Sequence, residues 1–330
     1  MEAKKLNVAV VGVGKMGLVH ASIFNTLPNV KLVALCDTST LIRKFCKKLL
    51  SGVQIIDNIA KMSDLDLDIV CVTTPIPSHY SIIKSLYSTK KAPNIFVEKT
   101  LSSYYSDSEK LVELAQNSGR VNMVGYMKRF AVTFNKAKEL LEHGAIGSMY
   151  SFEAHAYSSD FFGLSNPSQK SSSRGGVLSD LGSHVIDLSL WFFGDLCVQP
   201  NQIIAGDIQN TVQFKVKNGA SVEGIFNMSW IKDGYHVPEF GLMIKGSKGK
   251  ILVDDDVVKL EPESGKSIQW HRHDLSDNVG FLLGAPEYFR EDAYFVDSIL
   301  NKANVEPSFA TASKVDYVIG AVIEGAEKNE

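Results

Sequence analysis

The stretch LNVAVVGVGKMG at residues 6–17 is an apolar run that ends on Gly12 and continues through Gly14 and Gly17. A short apolar run closed by glycine reads as a buried strand, and Val19, Ile23 and Leu27 then recur at helical spacing over 16–27. The G-x-G-x-x-G set therefore stands at a strand-to-helix junction. There the first glycine permits a tight turn, the second lets backbone approach a pyrophosphate, and the third lets the helix pack closely. Lys15 and Met16 sit within the same loop. Asp37 follows Gly17 by twenty residues, at the end of a second β-rich run over 30–36, where a carboxylate accepts hydrogen bonds from a ribose diol. The loop is not a P-loop, because Leu18 stands where that motif needs lysine. A carboxylate at Asp37 also repels a 2′-phosphate, and Arg43 lies one to two helical turns further on, so the reading favours NAD over NADP.

Outward from this junction, strand and helix patterns alternate: helix over 41–50, strand 67–73, helix 78–87, strand 95–97, helix 106–116 and strand 121–124. That alternation implies a doubly wound parallel sheet covered on both faces. After a helix over 133–142 the pattern changes to strands at 149–157, 207–217, 220–231, 240–245, 250–253, 257–260 and 267–273, most separated only by turn signals. This second part is α+β with a large open, mostly antiparallel sheet, closed by helices over 288–300 and 313–324. The expected domains are 1–125, binding a dinucleotide, and 126–330, binding substrate and forming oligomers. The Ser- and Gly-rich segment 160–176 reads as a loop.

With 330 residues, 45% hydrophobic content and 22% charge, the chain can bury a large core and reads as two soluble domains. Its net charge of -3 supplies no electrostatic footprint for nucleic acid or anionic membrane. No apolar run reaches the roughly 18 residues of a membrane helix, and the apolar N-terminal run has no cleavage site, so a cytoplasmic protein is expected. Cys36, Cys46, Cys71 and Cys197 show no metal-ligand spacing and read as reduced core residues. The His271, His273 and Asp274 cluster alternates as an exposed strand face does, and no metal is expected.

Asp180, His184 and Asp187 are spaced to share one stripe of an otherwise apolar helix. Ionisable groups on a buried helix are costly to desolvate unless they are paired or used. Thr74 and Pro75 end the 67–73 strand, and carboxyl ends of parallel strands face the ligand crevice. His79 either meets the cofactor there or begins the next helix behind a Ser78 cap. Glu98 and Lys99 end the 95–97 strand at the same edge, where a lysine can polarise a hydroxyl oxygen. Lys128 and Arg129 follow the 121–124 strand as candidate contacts for substrate oxygens, alongside His155, Tyr157 and Arg174.

Taken in order, Gly12, Gly14, Gly17, Asp37, Thr74-Pro75 with His79, Glu98-Lys99, Gly125-Tyr126 with Arg129-Phe130, and Gly175-Gly176 with Asp180, Gly182, His184 and Asp187 resemble the Gfo/Idh/MocA family of sugar and inositol dehydrogenases. The resemblance spans the chain and implies a Rossmann domain followed by the open-sheet domain. It also implies that Lys99, Asp180 and His184 are the catalytic groups. Thr100 departs from the family's E-K-P proline. The implied reaction is hydride transfer between a sugar, polyol or nucleotide-sugar carbinol and the nicotinamide, with His184 as base, Lys99 polarising the oxygen and Asp180 orienting substrate. Two rivals are an enzyme that recycles tightly bound NAD(P) and a dinucleotide-sensing regulator without turnover. The acid–base set argues against the sensor. An open antiparallel sheet needs cover for a face or edge, so a homodimer or homotetramer is expected, with the apolar segment 224–230 suited to the contact.

Overall fold

The computed structural model describes residues 5–89, 92–164, 174–205, 207–219, 222–275 and 285–328. Contacts divide the chain into a first unit, Met1–Tyr126 with Val279–Ser313, and a second, Met127–Asn278 with Lys314–Glu330.

The first unit is built on six strands: β1 (Leu6–Val11), β2 (Val30–Cys36), β3 (Gln54–Ile56), β4 (Ile69–Val72), β5 (Asn94–Glu98) and β6 (Asn122–Gly125). They lie in the order β3-β2-β1-β4-β5-β6 and every pair is parallel. Such strands are covered on both faces, which is why β4 is buried at all four positions and reads as an unbroken apolar run. Helices Lys15–Thr26, Thr40–Leu49, His79–Tyr87 and Tyr105–Ser118 supply the crossovers. Strand order reverses between β1 and β4, so the crevice opens at their carboxyl ends. The sequence pattern does not mark β3, whose three residues are too few to show a period. Helix Glu287–Asn301 returns to this unit late in the chain, packing Phe295 edge-on against Phe96 with centroids 5.7 Å apart.

The second unit carries an eight-stranded sheet of β7 (Met149–Tyr157), β8 (Cys197–Ala205), β9 (Thr211–Asn218), β10 (Val222–Ser229), β11 (Glu239–Gly246), β12 (Gly249–Asp254), β13 (Val257–Pro262) and β14 (Ile268–His271). The order is β14-β13-β12-β11-β7-β10-β9-β8, antiparallel except for the parallel pair of β7 and β10. β8 escapes the sequence pattern because it is a polar edge strand, with Pro200 inside a register shift between Val198 and Ile203. Cys197 lies on this edge and is exposed, so the expectation of four core cysteines holds for Cys36, Cys46 and Cys71 only. The His271 cluster is likewise not one strand face. The strand stops at His271 and a 3₁₀ turn covers Arg272–Leu275, because the Asp274 carboxylate accepts the His271 backbone N–H at 2.9 Å. Of the expected loop over 160–176, residues 165–173 lie outside the described residues.

One face of this sheet is covered by helix Ser183–Phe193. Phe193 stacks on Phe152 at 4.2 Å, Phe152 meets Phe226 edge-on at 5.6 Å, and Phe226 stacks on Phe214 at 4.7 Å. Phe226, Met228 and Trp230 of segment 224–230 are no more than 1% exposed and so buried within the unit, while Ile225 is half-exposed on the other face. The opposite face carries half-exposed Glu153, His155, Tyr157 and Lys245.

Gly224 stands opposite Phe152 in the parallel pair, and a Cβ there would lie 2.1 Å from the Phe152 ring. Gly224→Ala should therefore destabilise the protein by about 1–3 kcal/mol through overpacking. Adding Phe152→Leu should cost less in that background than in the unsubstituted chain. Chemical denaturation of the single and double variants checks this; a neutral Gly224→Ala contradicts it.

Candidate active site

The glycine loop follows from close approach. Gly12 has φ of 88°, and a Cβ on it would meet the Thr74 backbone nitrogen at 2.9 Å. A Cβ on Gly17 would lie 2.0 Å from the Gly12 carbonyl oxygen, whereas one on Gly14 would have nothing within 4 Å. The first and third glycines thus serve internal packing, and the second leaves open backbone at the start of helix Lys15–Thr26. Asp37 is fixed by two backbone donors: its Oδ2 accepts from Val13 N at 2.7 Å and its Oδ1 from Ser39 N at 2.7 Å. Arg43 reaches back further than its sequence separation suggested, donating to the carbonyl oxygens of Asp37 at 2.9 Å and Thr38 at 2.6 Å.

Gly12, Gly14, Lys15, Met16, Asp37, Thr74 and Pro75 are among the residues that line a cavity of about 770 Å³. Its open backbone and fixed carboxylate fit a dinucleotide. Thr38, Asp57, Asn58, Thr73 and Ile82 line it too, and the sequence reading missed them. Only their positions just past the ends of β2, β3 and β4, or on the helix after β4, could have pointed to them. Cys36 also lines the cavity, and burial together with the Asp37 carboxylate pushes its thiol up to about 11.

Gly17, His79 and Glu98 do not line this cavity. His79 begins helix His79–Tyr87 and is fully buried, with Nδ1 2.9 Å from the Thr100 carbonyl oxygen and Nε2 2.8 Å from that of Thr74. Burial pushes its pKa below the usual histidine value. Glu98 turns one carboxylate oxygen to His20 Nε2 at 3.0 Å, and its other oxygen accepts the Lys99 backbone N–H at 3.1 Å. Lys99 itself is half-buried, and the Lys99–Thr100 peptide is cis. His20 was not singled out from the sequence; the available signal was a histidine on the buried side of the helix, three residues after Gly17.

In the second unit the expected stripe is not one regular helix. Leu178–Gly182 forms a π-helical turn before helix Ser183–Phe193. Gly182 is confined there, since a Cβ would lie 2.4 Å from the Met228 sulfur. Asp180 forms an ion pair with Arg174, whose guanidinium also binds Asp160 at 2.7 Å and lies over the Trp230 ring at 5.1 Å. His184 is 5% exposed and meets the Phe240 ring edge-on at 5.1 Å. Asp187 belongs to a different pair, accepting from Arg129 Nε at 2.7 Å and Nη2 at 2.6 Å. Lys128 binds Asp255 at 2.5 Å and sits 4.9 Å from the centroid of Phe240, so it shares that ring with His184. His155 and Tyr157 stack at 4.9 Å on the sheet face opposite helix Ser183–Phe193, and the sheet separates them from His184. No cluster of three or more metal-ligating side chains occurs among the described residues.

Residues 6–126 match the family model described as an oxidoreductase family with an NAD-binding Rossmann fold, and residues 134–252 match the GFO/IDH/MocA C-terminal domain. The myo-inositol 2-dehydrogenase of Thermotoga maritima is 24% identical over 280 residues, which is 79% of this chain and 79% of that protein. An uncharacterized oxidoreductase of Schizosaccharomyces pombe is 28% identical over 133 residues, 40% of this chain, and the match spans only 36% of that protein's length. A levoglucosan dehydrogenase solved with NADH and levoglucosan superposes with a TM-score of 0.84 at 19% identity, covering 99% of this chain and 98% of that one, which is likeness of fold. With a Rossmann unit whose cavity fits a dinucleotide and a mostly antiparallel second unit, each matched by its own family model, the chain belongs to the GFO/IDH/MocA family of NAD-dependent oxidoreductases.

Proposed function

We propose that this oxidoreductase oxidises, reversibly, a secondary hydroxyl of a sugar or polyol. The observation that carries the reading is the environment of His184: an almost buried imidazole against an aromatic wall, on the helix that follows the turn bearing Asp180. The names of relatives, a myo-inositol 2-dehydrogenase among them, support the substrate class. Gly14, Lys15, Met16, Asp37, Thr74 and Pro75 would hold NAD, which when bound supplies the hydride acceptor.

His184 takes the proton of the reacting hydroxyl, since imidazole is the side chain whose unperturbed titration lies closest to neutrality. Lys99 polarises the same oxygen. Asp180 is already engaged by a guanidinium, so its role is to orient substrate rather than to carry the proton. Of the lysine and arginine residues expected to touch substrate, Arg174 has the most exposed side chain, 41% accessible; Lys128 and Arg129 are 8% and 6% accessible and paired with carboxylates inside the unit.

His184→Ala and Lys99→Ala should each lower turnover by about 10²–10⁴ while leaving NAD affinity in place, because both act more in the transition state than in cofactor binding. A panel of inositols, monosaccharides and nucleotide sugars followed by NADH absorbance supplies the substrate and the rates. Near-unsubstituted turnover in a folded His184→Ala variant would end the assignment.

Asp37 sets the cofactor preference. The protein should bind NAD more tightly than NADP, and Asp37→Ala should narrow the gap by about 1–3 kcal/mol, the size of a charge-assisted hydrogen bond. Dissociation constants for both cofactors measure it; an unchanged gap contradicts the role.

We also propose a homo-oligomer formed through the open sheet. Because Phe226, Met228 and Trp230 are buried within the unit, association would use the half-exposed face bearing Glu153, His155, Tyr157, Ile225 and Lys245. Light scattering at micromolar concentration should read at least twice the chain mass, and a monomer mass would reject the proposal.

A further inference from the structure

The mechanism leaves one group of buried ionisable side chains in the first unit unused. His20 is fully buried, three residues beyond Gly17 on helix Lys15–Thr26. Its Nδ1 lies 2.9 Å from each carboxylate oxygen of Asp292, which is also fully buried, on helix Glu287–Asn301. Its Nε2 lies 3.0 Å from Glu98 Oε1. Around the imidazole stand Phe96 at 5.1 Å, Tyr288 at 5.9 Å and Phe24 at 6.5 Å.

A neutral imidazole has one N–H and one lone pair, whereas carboxylates face both ring nitrogens here. The imidazolium, donating from both, satisfies both. Burial alone pushes His20 down, but the Asp292 and Glu98 carboxylates outweigh it and hold the pKa well above the usual histidine value. A network of this kind is a weak device for stability, because desolvating its members offsets their attraction and apolar replacements are often as stable. Its placement is more informative. The Glu98 carboxylate is held at one oxygen by His20 and at the other by the Lys99 backbone N–H, while the Thr100 carbonyl beyond Lys99 faces His79 at 2.9 Å. The backbone is thus gripped on both sides of Lys99.

We propose that His20 and Asp292 are positioning residues for Lys99: His20 braces Glu98, and Glu98 fixes the peptide unit from which the lysine projects. The pair reaches the reaction only through Lys99, and the inference rests on the reading of Lys99 as the group that polarises the substrate oxygen.

Asp292→Asn and Glu98→Gln keep side-chain shape and remove one charge of the network, and a readout without substrate separates the two readings. The rate at which trinitrobenzenesulfonate modifies Lys99, followed by peptide mass mapping of the full chain with and without NADH, should differ between these variants and the unsubstituted protein. On the best polyol of the panel their kcat should fall by about 10²-fold, the effect of a small misplacement, with the NADH dissociation constant retained. In a Lys99→Ala background the same substitutions should lower kcat no further, as expected for residues acting through one group and not for a general loss of stability. Unchanged labelling and kcat in a folded Asp292→Asn variant overturn the proposal while leaving the role of Lys99 standing. If Lys99→Ala itself keeps turnover, that role fails, and the labelling rate alone decides the positioning. Should neither variant fold, nitrogen-15 histidine spectra of the unsubstituted protein decide: at about pH 8, above the ordinary histidine pKa of about 6.5, the His20 imidazole must keep a proton on Nε2, the nitrogen that faces Glu98. A His20 ring without that proton overturns the brace.

Discussion

A methyl group on Gly17 would sit 2.0 Å from the carbonyl oxygen of Gly12, and the nucleotide end of the first unit depends on that space staying empty. The same oxygen accepts the Thr73 hydroxyl at 2.5 Å, so the loop after β1, the start of its helix and the end of β4 converge on one carbonyl. Asp37 ties in the end of β2 by accepting from Val13 N. Three strand ends are fixed where strand order reverses, and the cavity opens beside them. A side chain at Gly12 or Gly17 would push β1 and β4 apart and lose the shape before it touched any ligand.

Buried charge in the second unit answers to a different constraint. A guanidinium taken out of water needs acceptors for its planar set of donors, and the paired oxygens of Asp187 meet two of those on Arg129. Lys128 is compensated by Asp255 and the face of Phe240. In both cases a buried cation stands against a carboxylate, and such a pair is itself a reason for the residue types found there. Charged residues near a proposed site are therefore poor markers of substrate contact by themselves.

Much of the fold was legible because it depends on local pattern: the glycine junction, the alternation of strands and helices, and the turn-separated strands of the second sheet all reappear. What escaped has physical causes. A three-residue strand has no period, and β8 is polar because an edge strand faces water and carries Pro200. The return of helix Glu287–Asn301 to the first unit has no local signature, since Phe295 and Asp292 acquire meaning only beside Phe96 and His20. Among site residues, the glycines and Asp37 declare themselves through spacing. His79 and Glu98 carry the same letters in sequence, yet their polar atoms turn inward to backbone and to His20, and direction is not written in spacing.

The π turn shows how far backbone can set chemistry. Four-residue spacing on an α-helix would put Asp180 and His184 on one line, but each hydrogen-bonded loop of a π turn takes in an additional residue, so Leu178–Gly182 does not follow that rule. Gly182, at the end of this turn, lies where a Cβ would meet the Met228 sulfur at 2.4 Å. The turn also carries Asp180 into its ion pair with Arg174, while the regular helix beyond it presents His184 to Phe240. The different surroundings of the two side chains follow from the point at which the π turn gives way to regular helix.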